Sequence, residues 1–579
     1  METGLPCMRI DGHRTQADSD GMKIGRGIHA LCAAWMATGA LLGCGDDQPG
    51  ENDPSRSCAG LAGMRLTAAQ IGLPTSGANV VSAVEVPART DGQVTEPAHC
   101  FVSAEVFPVD PKAPPILLAV ALPTPWNEKA LWLGGGGFDG VIPDVTGNSL
   151  NALAPAPLAR GYAVFASDGG HQSTAASPGA DASALVNEEA YRNWLSDAPK
   201  KVRDVAGQII RAYYGIDAAR FYAVGSSTGG REALFAAARS PADWDGALVL
   251  YPARNVTNVM LGLTAMLEAL SAPGAFPDAA KRKLVWEAVL AECDALDGLA
   301  DGVVGDVVRC NEQFDVTALR CEGGADAGDA CLSDAQIQAF EAIDAPVRLA
   351  SPLASGDTEL AGYNVYSAAQ GVGTDSPLEP HVQAVDLGSR APSFPVDPLT
   401  NSFAAALVDS FMRHVVVGDQ SFDYRTFDAR TFGPYAARVQ QLSALDVGDA
   451  ELGGFAARGG KLLLLHGTGD MLTSPRTTER YVEALQASLG AGATDAMLRY
   501  YEVPGFQHAA STVFHVSWDG LGALERWVET GKDPGDDEVV TDLAGVPGRT
   551  RPLCRYPTFA RYRGTGDPND AASFECAAP

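Results

Sequence analysis

Short apolar runs recur along this chain, and each ends in a cluster of small or polar residues. "PILLAVALP" (115–123) and "KALWLGGGG" (129–137) read as two successive strands, the second running straight into Gly134, Gly135, Gly136 and Gly137. "GYAVFASDGGHQ" (161–172) is another short apolar run that ends in a loop. In "VRDVAGQIIRAYYG" (202–215) the apolar positions change to helical spacing. "FYAVGSS" (221–227), "GREALFAAARSP" (230–241) and "GALVLYPA" (246–253) then give strand, helix and strand. That rhythm predicts a mostly parallel sheet covered by helices on both faces.

The alternation breaks after about residue 254. Up to about residue 455 the chain is rich in Asp, Gly, Pro and Ser, with scattered helical patterns, and reads as an inserted domain. "GGKLLLLHGTGD" (459–470), the helix "TTERYVEALQASLG" (477–490), the strand "MLRYYEVPG" (497–505) and the helix "GLGALERWVETG" (520–531) resume the core. The expected fold is α/β, a doubly wound sheet built from 58–254 and 456–579, with 255–455 as a large inserted lid domain.

The N-terminus changes where this fold is expected to work. Lys23 and Arg26 precede an apolar run and then "LLGC", the layout of an export signal over 1–43, with Met22 as an alternative start. "LLGC" also has the form of a bacterial lipobox, which makes Cys44 a lipidation site; plain secretion is the alternative. The polar stretch 44–57 reads as a tether, and a lipid anchor is the one membrane contact expected. Setting aside Cys7, Cys32 and Cys44 leaves eight of the eleven cysteines. Pairing by neighbourhood in an oxidising compartment gives Cys58–Cys100, Cys293–Cys310, Cys321–Cys331 and Cys554–Cys576. A net charge of -29 argues against nucleic acid as a partner.

Candidate chemistry centres on Gly225-Ser226-Ser227-Thr228-Gly229, a G-x-S-x-G pattern. With 63 glycines in the chain the pattern arises easily by chance, so its setting decides: a strand precedes it and a helix follows. Such a turn lifts a serine hydroxyl above the sheet edge. A serine needs a base to take its proton and a carboxylate to orient that base. In the chain order Ser, Asp, His, Asp470 follows the strand "KLLLLHG" and His508 follows "YEVPG", both in loops after strands. His466 reads as a structural residue at a strand end, His515 as part of a following helix, and His171 and Asp168 precede the serine. The glycine run offers an amide to an oxyanion, assigned to Gly136, with the amide of Thr228 as the second donor.

"GSSTGGREAL", "LHGTGDMLTSP", "VPGFQH" and "LGGGGFDG" together resemble the tannase and feruloyl esterase family, which includes terephthalate-monoester hydrolases, over about residue 58 to the C-terminus. The resemblance implies Ser227, Asp470 and His508 as a triad and a lid carrying much of the substrate pocket. In "CDALDGLADGVVGDVVRC" (293–310) the spacing of Asp294, Asp297 and Asp301 is that of either a calcium loop or a solvated acidic loop. The resemblance implies structural Ca²⁺ there, held by those three side chains and the carbonyls of Leu299 and Val303. One departure is visible. The family carries a disulfide between the residue before the nucleophile and the residue after the histidine, and here those residues are Ser226 and Ala509.

The expected function is therefore that of a serine esterase acting on small carboxylic esters of aromatic acids. An acyltransferase with the same triad, or a calcium-stabilised binding lipoprotein without turnover, are the alternatives. Arg390 and Arg413 are candidates for an anionic substrate group but read as surface arginines.

Overall fold

The computed structural model describes residues 57–579 apart from 92–93, 148–152, 447 and 449–450. The export signal, Cys44 and the tether as far as residue 56 lie outside the described residues.

A ten-stranded mixed sheet organises the molecule. In chain order its strands are β1 (Arg65–Leu66), β2 (Gly77–Val86), β3 (His99–Phe107), β4 (Ile116–Pro123), β5 (Lys129–Leu133), β6 (Ala163–Ser167), β7 (Arg220–Ser226), β8 (Gly246–Leu250), β9 (Lys461–Gly467) and β10 (Leu498–Val503). Across the sheet they run β1-β2-β3-β4-β6-β5-β7-β8-β9-β10. From β6 to β10 every neighbouring pair is parallel, whereas β1 to β4 pair antiparallel and β4 joins β6 antiparallel. The chain sets β6 on one side of β5 and β7 on the other, so the order reverses at β5. Open sheets bind ligands above the carboxyl ends of strands at such a reversal.

The parallel half carries the continuous apolar runs because both its faces are covered. Leu131, Tyr222, Leu248 and Leu463 face one side, in a cluster with Leu521, Leu524 and Trp527 of α7 (Gly520–Thr530). Trp132, Ala223, Val249 and Leu464 face the other, with α1 (Ala198–Tyr214) and α2 (Thr228–Arg239). In α1 the buried positions Val202, Val205, Ala206, Ile209 and Ile210 form one stripe, and Gly215 ends the helix at φ 81°.

After β8 the chain leaves the sheet and returns only at β9. The excursion contains α3 (Val256–Ser271), α4 (Ala279–Cys293) and α5 (Phe403–Phe411), and α6 (Pro475–Leu489) follows β9. Among the described residues the four cystines are Cys58–Cys100, Cys293–Cys310, Cys321–Cys331 and Cys554–Cys576. Two local expectations need correction. The run "GALVLYPA" stops being strand at Leu250, because Tyr251 turns to φ 34°. His515 is not helical: it lies in the loop before Val516–Ser517, and α7 begins only where the Asp519 carboxylate caps it by accepting from the Gly522 amide.

Candidate active site

Ser227 stands between β7 and α2 with φ 56° and ψ -122°, a conformation that non-glycine residues seldom adopt. Its neighbours must be small. A Cβ at Gly225 would meet the Gly229 carbonyl oxygen at 2.3 Å, and one at Gly229 would meet the Gly134 backbone at 2.6 Å. Strand, helix and glycine loop therefore close on one another and hold the serine in its strained turn.

Two loops complete the arrangement. His508 Nε2 lies 3.0 Å from Ser227 Oγ, and His508 Nδ1 lies 2.8 Å from Asp470 Oδ2. Asp470 is fully buried and held from several sides: the amides of Leu472 and Thr473 donate to Oδ1 at 2.8 and 2.9 Å, and Thr473 Oγ1 donates to Oδ2 at 2.9 Å. Burial alone would raise its pKa, but the charge and hydrogen bond of His508, together with His466, outweigh it and hold the carboxyl well below its usual range. His466 is buried at the end of β9, its Nδ1 at 2.9 Å from Thr478 Oγ1 and its Nε2 at 2.8 Å from the Thr473 carbonyl. It has the structural partners expected of it and also lies 3.3 Å from Asp470. Thr473 is a neighbour that the sequence reading missed, although the turn signal D-x-x-T was present in "DMLT".

Above Ser227 an apolar cleft opens, walled by Phe138 and Trp194, by Val256, Met260 and Leu263 of α3, and by Phe403 and Leu407 of α5. Gly137 and Thr228 line it beside the serine, and Thr228 Oγ1 donates to the Gly137 carbonyl at 2.6 Å. The position of a Cβ on Gly136 faces open space. As the first residue of α2, Thr228 has an amide without an intrahelical acceptor. Arg231 also reaches the cleft. Its Nη2 donates to the Trp194 carbonyl at 2.8 Å and its guanidinium lies 4.2 Å from the Trp194 ring centre. Behind the glycine loop, burial pushes the Glu232 carboxyl up to about 7, against the opposing charge of Arg231.

A family model described as tannase and feruloyl esterase matches residues 100–577. The chain belongs to the tannase and feruloyl esterase family. An uncharacterised esterase of Agrobacterium fabrum is 35% identical over 537 residues, covering 90% of this chain and 93% of that protein. A mono(2-hydroxyethyl) terephthalate hydrolase of Piscinibacter sakaiensis is 30% identical, covering 86% and 89%. The crystal structure of feruloyl esterase B from Aspergillus oryzae shares the fold, with a TM-score of 0.70 at 22% identity, covering 88% of this chain and 98% of that one. The protein is a carboxylic ester hydrolase with an α/β-hydrolase fold, which sets aside the acyltransferase and non-catalytic readings.

In this esterase the segment between β8 and β9 reaches both loops, the one with Asp470 and the one with His508. Asn364 Nδ2 donates to the Thr468 carbonyl at 2.7 Å, and Gln507, next to His508, donates from Nε2 to Asp386 Oδ2 at 3.0 Å. Arg413 pairs with Asp409 on α5, and Arg390 is exposed. Asp168 accepts from the Leu117 and Gly170 amides and from Gln172, and burial pushes it up to about 7. His171 is buried, and burial lowers it to about 4.

In the acidic loop the Asp294 carboxylate accepts from the amides of Asp301 and Gly302, Asp297 from that of Leu299, and Asp301 from that of Val303. Asp301 also pairs with Arg549 and Arg551. Burial and then the charges of Asp301 and Asp294 push Asp297 up to about 7, and burial raises Asp294 as well. Among the described residues no three acidic, histidine or cysteine side chains already converge on one point. The donor set nevertheless suits a hard cation, because two half-buried or buried carboxylates stand beside a third with only the Asp301 pair of arginines to offset them.

Proposed function

We propose that this esterase is exported and hydrolyses carboxylic esters of aromatic acids through an acyl-enzyme on Ser227. The observation that carries the reading is the relay from Asp470 through His508 to Ser227, 2.8 and 3.0 Å long, at the floor of an apolar cleft. Ser227 Oγ attacks the ester carbonyl while His508 Nε2 takes its proton, and Asp470 holds Nδ1–H and stabilises the imidazolium. The amides of Thr228 and Gly136 receive the oxyanion. His508 then delivers the proton to the leaving alcohol, and a water activated by the same imidazole releases the acid.

The aromatic preference is supported by the cleft, whose walls are Phe, Trp, Leu, Val and Met side chains suited to a flat apolar ring. It is supported too by the names of relatives: one acts on mono(2-hydroxyethyl) terephthalate, and others are feruloyl esterases. Export is supported by the N-terminal signal pattern and by four cystines, the chemistry of an oxidising compartment. Cys44 is the proposed lipid attachment site. Calcium is proposed for the acidic loop, held by the side chains of Asp294, Asp297 and Asp301 and the carbonyls of Leu299 and Val303. Bound there it supplies charge neutralisation that stiffens the loop, and no step of the reaction passes through it.

Methyl ferulate, methyl gallate and mono(2-hydroxyethyl) terephthalate, assayed side by side with an aliphatic ester of similar size, test the reading. The aromatic esters are expected to give the higher kcat/KM. Preference for the aliphatic ester would refute the aromatic assignment.

A further inference from the structure

The residue that ends β8 prematurely has contacts that the relay does not account for. Tyr251 has φ 34°, a conformation that a bulky residue keeps only where its surroundings impose it. Its amide donates to the Leu465 carbonyl on β9 at 2.7 Å, and its own carbonyl lies 3.3 Å from Thr473 Oγ1, the hydroxyl that also meets Asp470. Its ring meets the His508 imidazole in a T-shaped contact, with centroids 4.9 Å apart and planes at 65°, and meets Phe506 at 5.8 Å. Its phenol is turned toward the side chain of Ser226, the residue before the nucleophile, which opposes the effect of burial on it.

One buried residue thus lies beside the neighbour of the nucleophile, meets the base itself with its ring and, through its backbone carbonyl and Thr473, reaches the acid. Ser227 and His508 are 281 residues apart in sequence, and none of the four cystines joins their loops. Ser226 and Ala509 stand where the resembled family has its disulfide, and Ala509 itself takes φ 63°. The relative placement of the two loops therefore depends on packing and hydrogen bonds.

We propose that Tyr251 is a positioning residue, which holds the His508 imidazole in register with Ser227 through its ring and orients that ring through the Ser226 hydroxyl. The assignment rests on the Ser-His-Asp reading above. Burial pushes the phenol up to about 12, against the smaller opposing effect of Ser226, so it stays neutral wherever a histidine base operates. A T-shaped aromatic contact restrains the ring tilt of the imidazole, and the same ring faces the imidazolium once His508 has taken the proton.

Steady-state kinetics on p-nitrophenyl acetate test this with Tyr251→Phe, which keeps the ring, Tyr251→Leu, which removes it, and Ser227→Ala as a reference. The expected kcat losses are about 3- to 10-fold for Tyr251→Phe and about 30- to 100-fold for Tyr251→Leu, with KM within about twofold in both. A folded Tyr251→Leu variant with kcat within about twofold of wild type would overturn the proposal, as would a rise in KM at constant kcat. Should Tyr251→Leu fail to fold, Tyr251→Phe decides: a kcat loss of about threefold or more at unchanged KM and melting temperature supports the role, and wild-type kcat overturns it. If Ser227→Ala keeps its activity, the relay reading itself falls and the Tyr251 assignment with it; if Ser227→Ala is inactive while the Tyr251 variants are normal, only the assignment falls.

Discussion

Burial and pairing pull Asp470 in opposite directions, and pairing prevails. The carboxylate accepts from two amides and a threonine hydroxyl as well as from His508, so it is ionised throughout the range in which an esterase works. Replacing it by Asn keeps the shape but removes the charge that stabilises the imidazolium. Asp470→Asn is expected to lower kcat by roughly 10³- to 10⁴-fold, read by steady-state kinetics, with a small change in KM. His171 gives a stability prediction of known sign. Both its ring nitrogens lack hydrogen-bond partners among the described residues, and burial depresses it to about 4 from an ordinary value near 6.5. The unfolded chain binds its proton first, so the native state is favoured above pH ~6.5 and loses that contribution as pH falls toward ~4. Denaturant midpoints at pH 7 and pH 4.5 should show His171→Leu losing less stability than wild type across that interval, by on the order of 2–3 kcal/mol.

Among the elements, those that carry the site were the legible ones. β5, β7, β8, β9 and β10 are covered on both faces, so they stand out as continuous apolar runs, and the small residues around Ser227 announce the sharp turn. Ser227, Asp470 and His508 each follow such a strand, which is why their placement in loops after strands was readable. β1 to β3 and the short antiparallel pairs near the C-terminus, Val539–Asp542 with Thr550–Pro552 and Phe559–Tyr562 with Phe574–Ala577, carry no comparable signal. Nor did Tyr251, whose contacts exist only after β8, β9 and the loop beyond β10 have converged. The helix assigned around His515 failed because Asp519 starts it later. Loop clamps are testable at the same scale. Removing Cys58–Cys100, which closes a span of 42 residues, should cost about 4 kcal/mol, against about 3 kcal/mol for the 10-residue span of Cys321–Cys331, when Cys→Ser pairs are compared by denaturant titration. Calcium binding to the 294–303 loop predicts a melting temperature that falls on chelation and recovers with added Ca²⁺ but not with Na⁺.

At the scale of the whole molecule, loops after the sheet's strands carry Ser227, Asp470 and His508, and the long excursion between β8 and β9 adds α3 and α5 to the cleft walls. The loops that carry Asp470 and His508 are pinned from that excursion by Asn364 and Asp386. Production in an oxidising compartment should therefore give a higher yield of active enzyme than production in a reducing cytosol, measured as active sites per milligram, because cystines in both the sheet region and the excursion must close. The central claim is that three loops deliver one activated serine. Labelling with a fluorophosphonate, located by peptide mass spectrometry, tests it directly. The account predicts a single adduct on Ser227, absent in Ser227→Ala and strongly slowed in His508→Ala. An unmodified Ser227 in folded, ester-hydrolysing enzyme would contradict it.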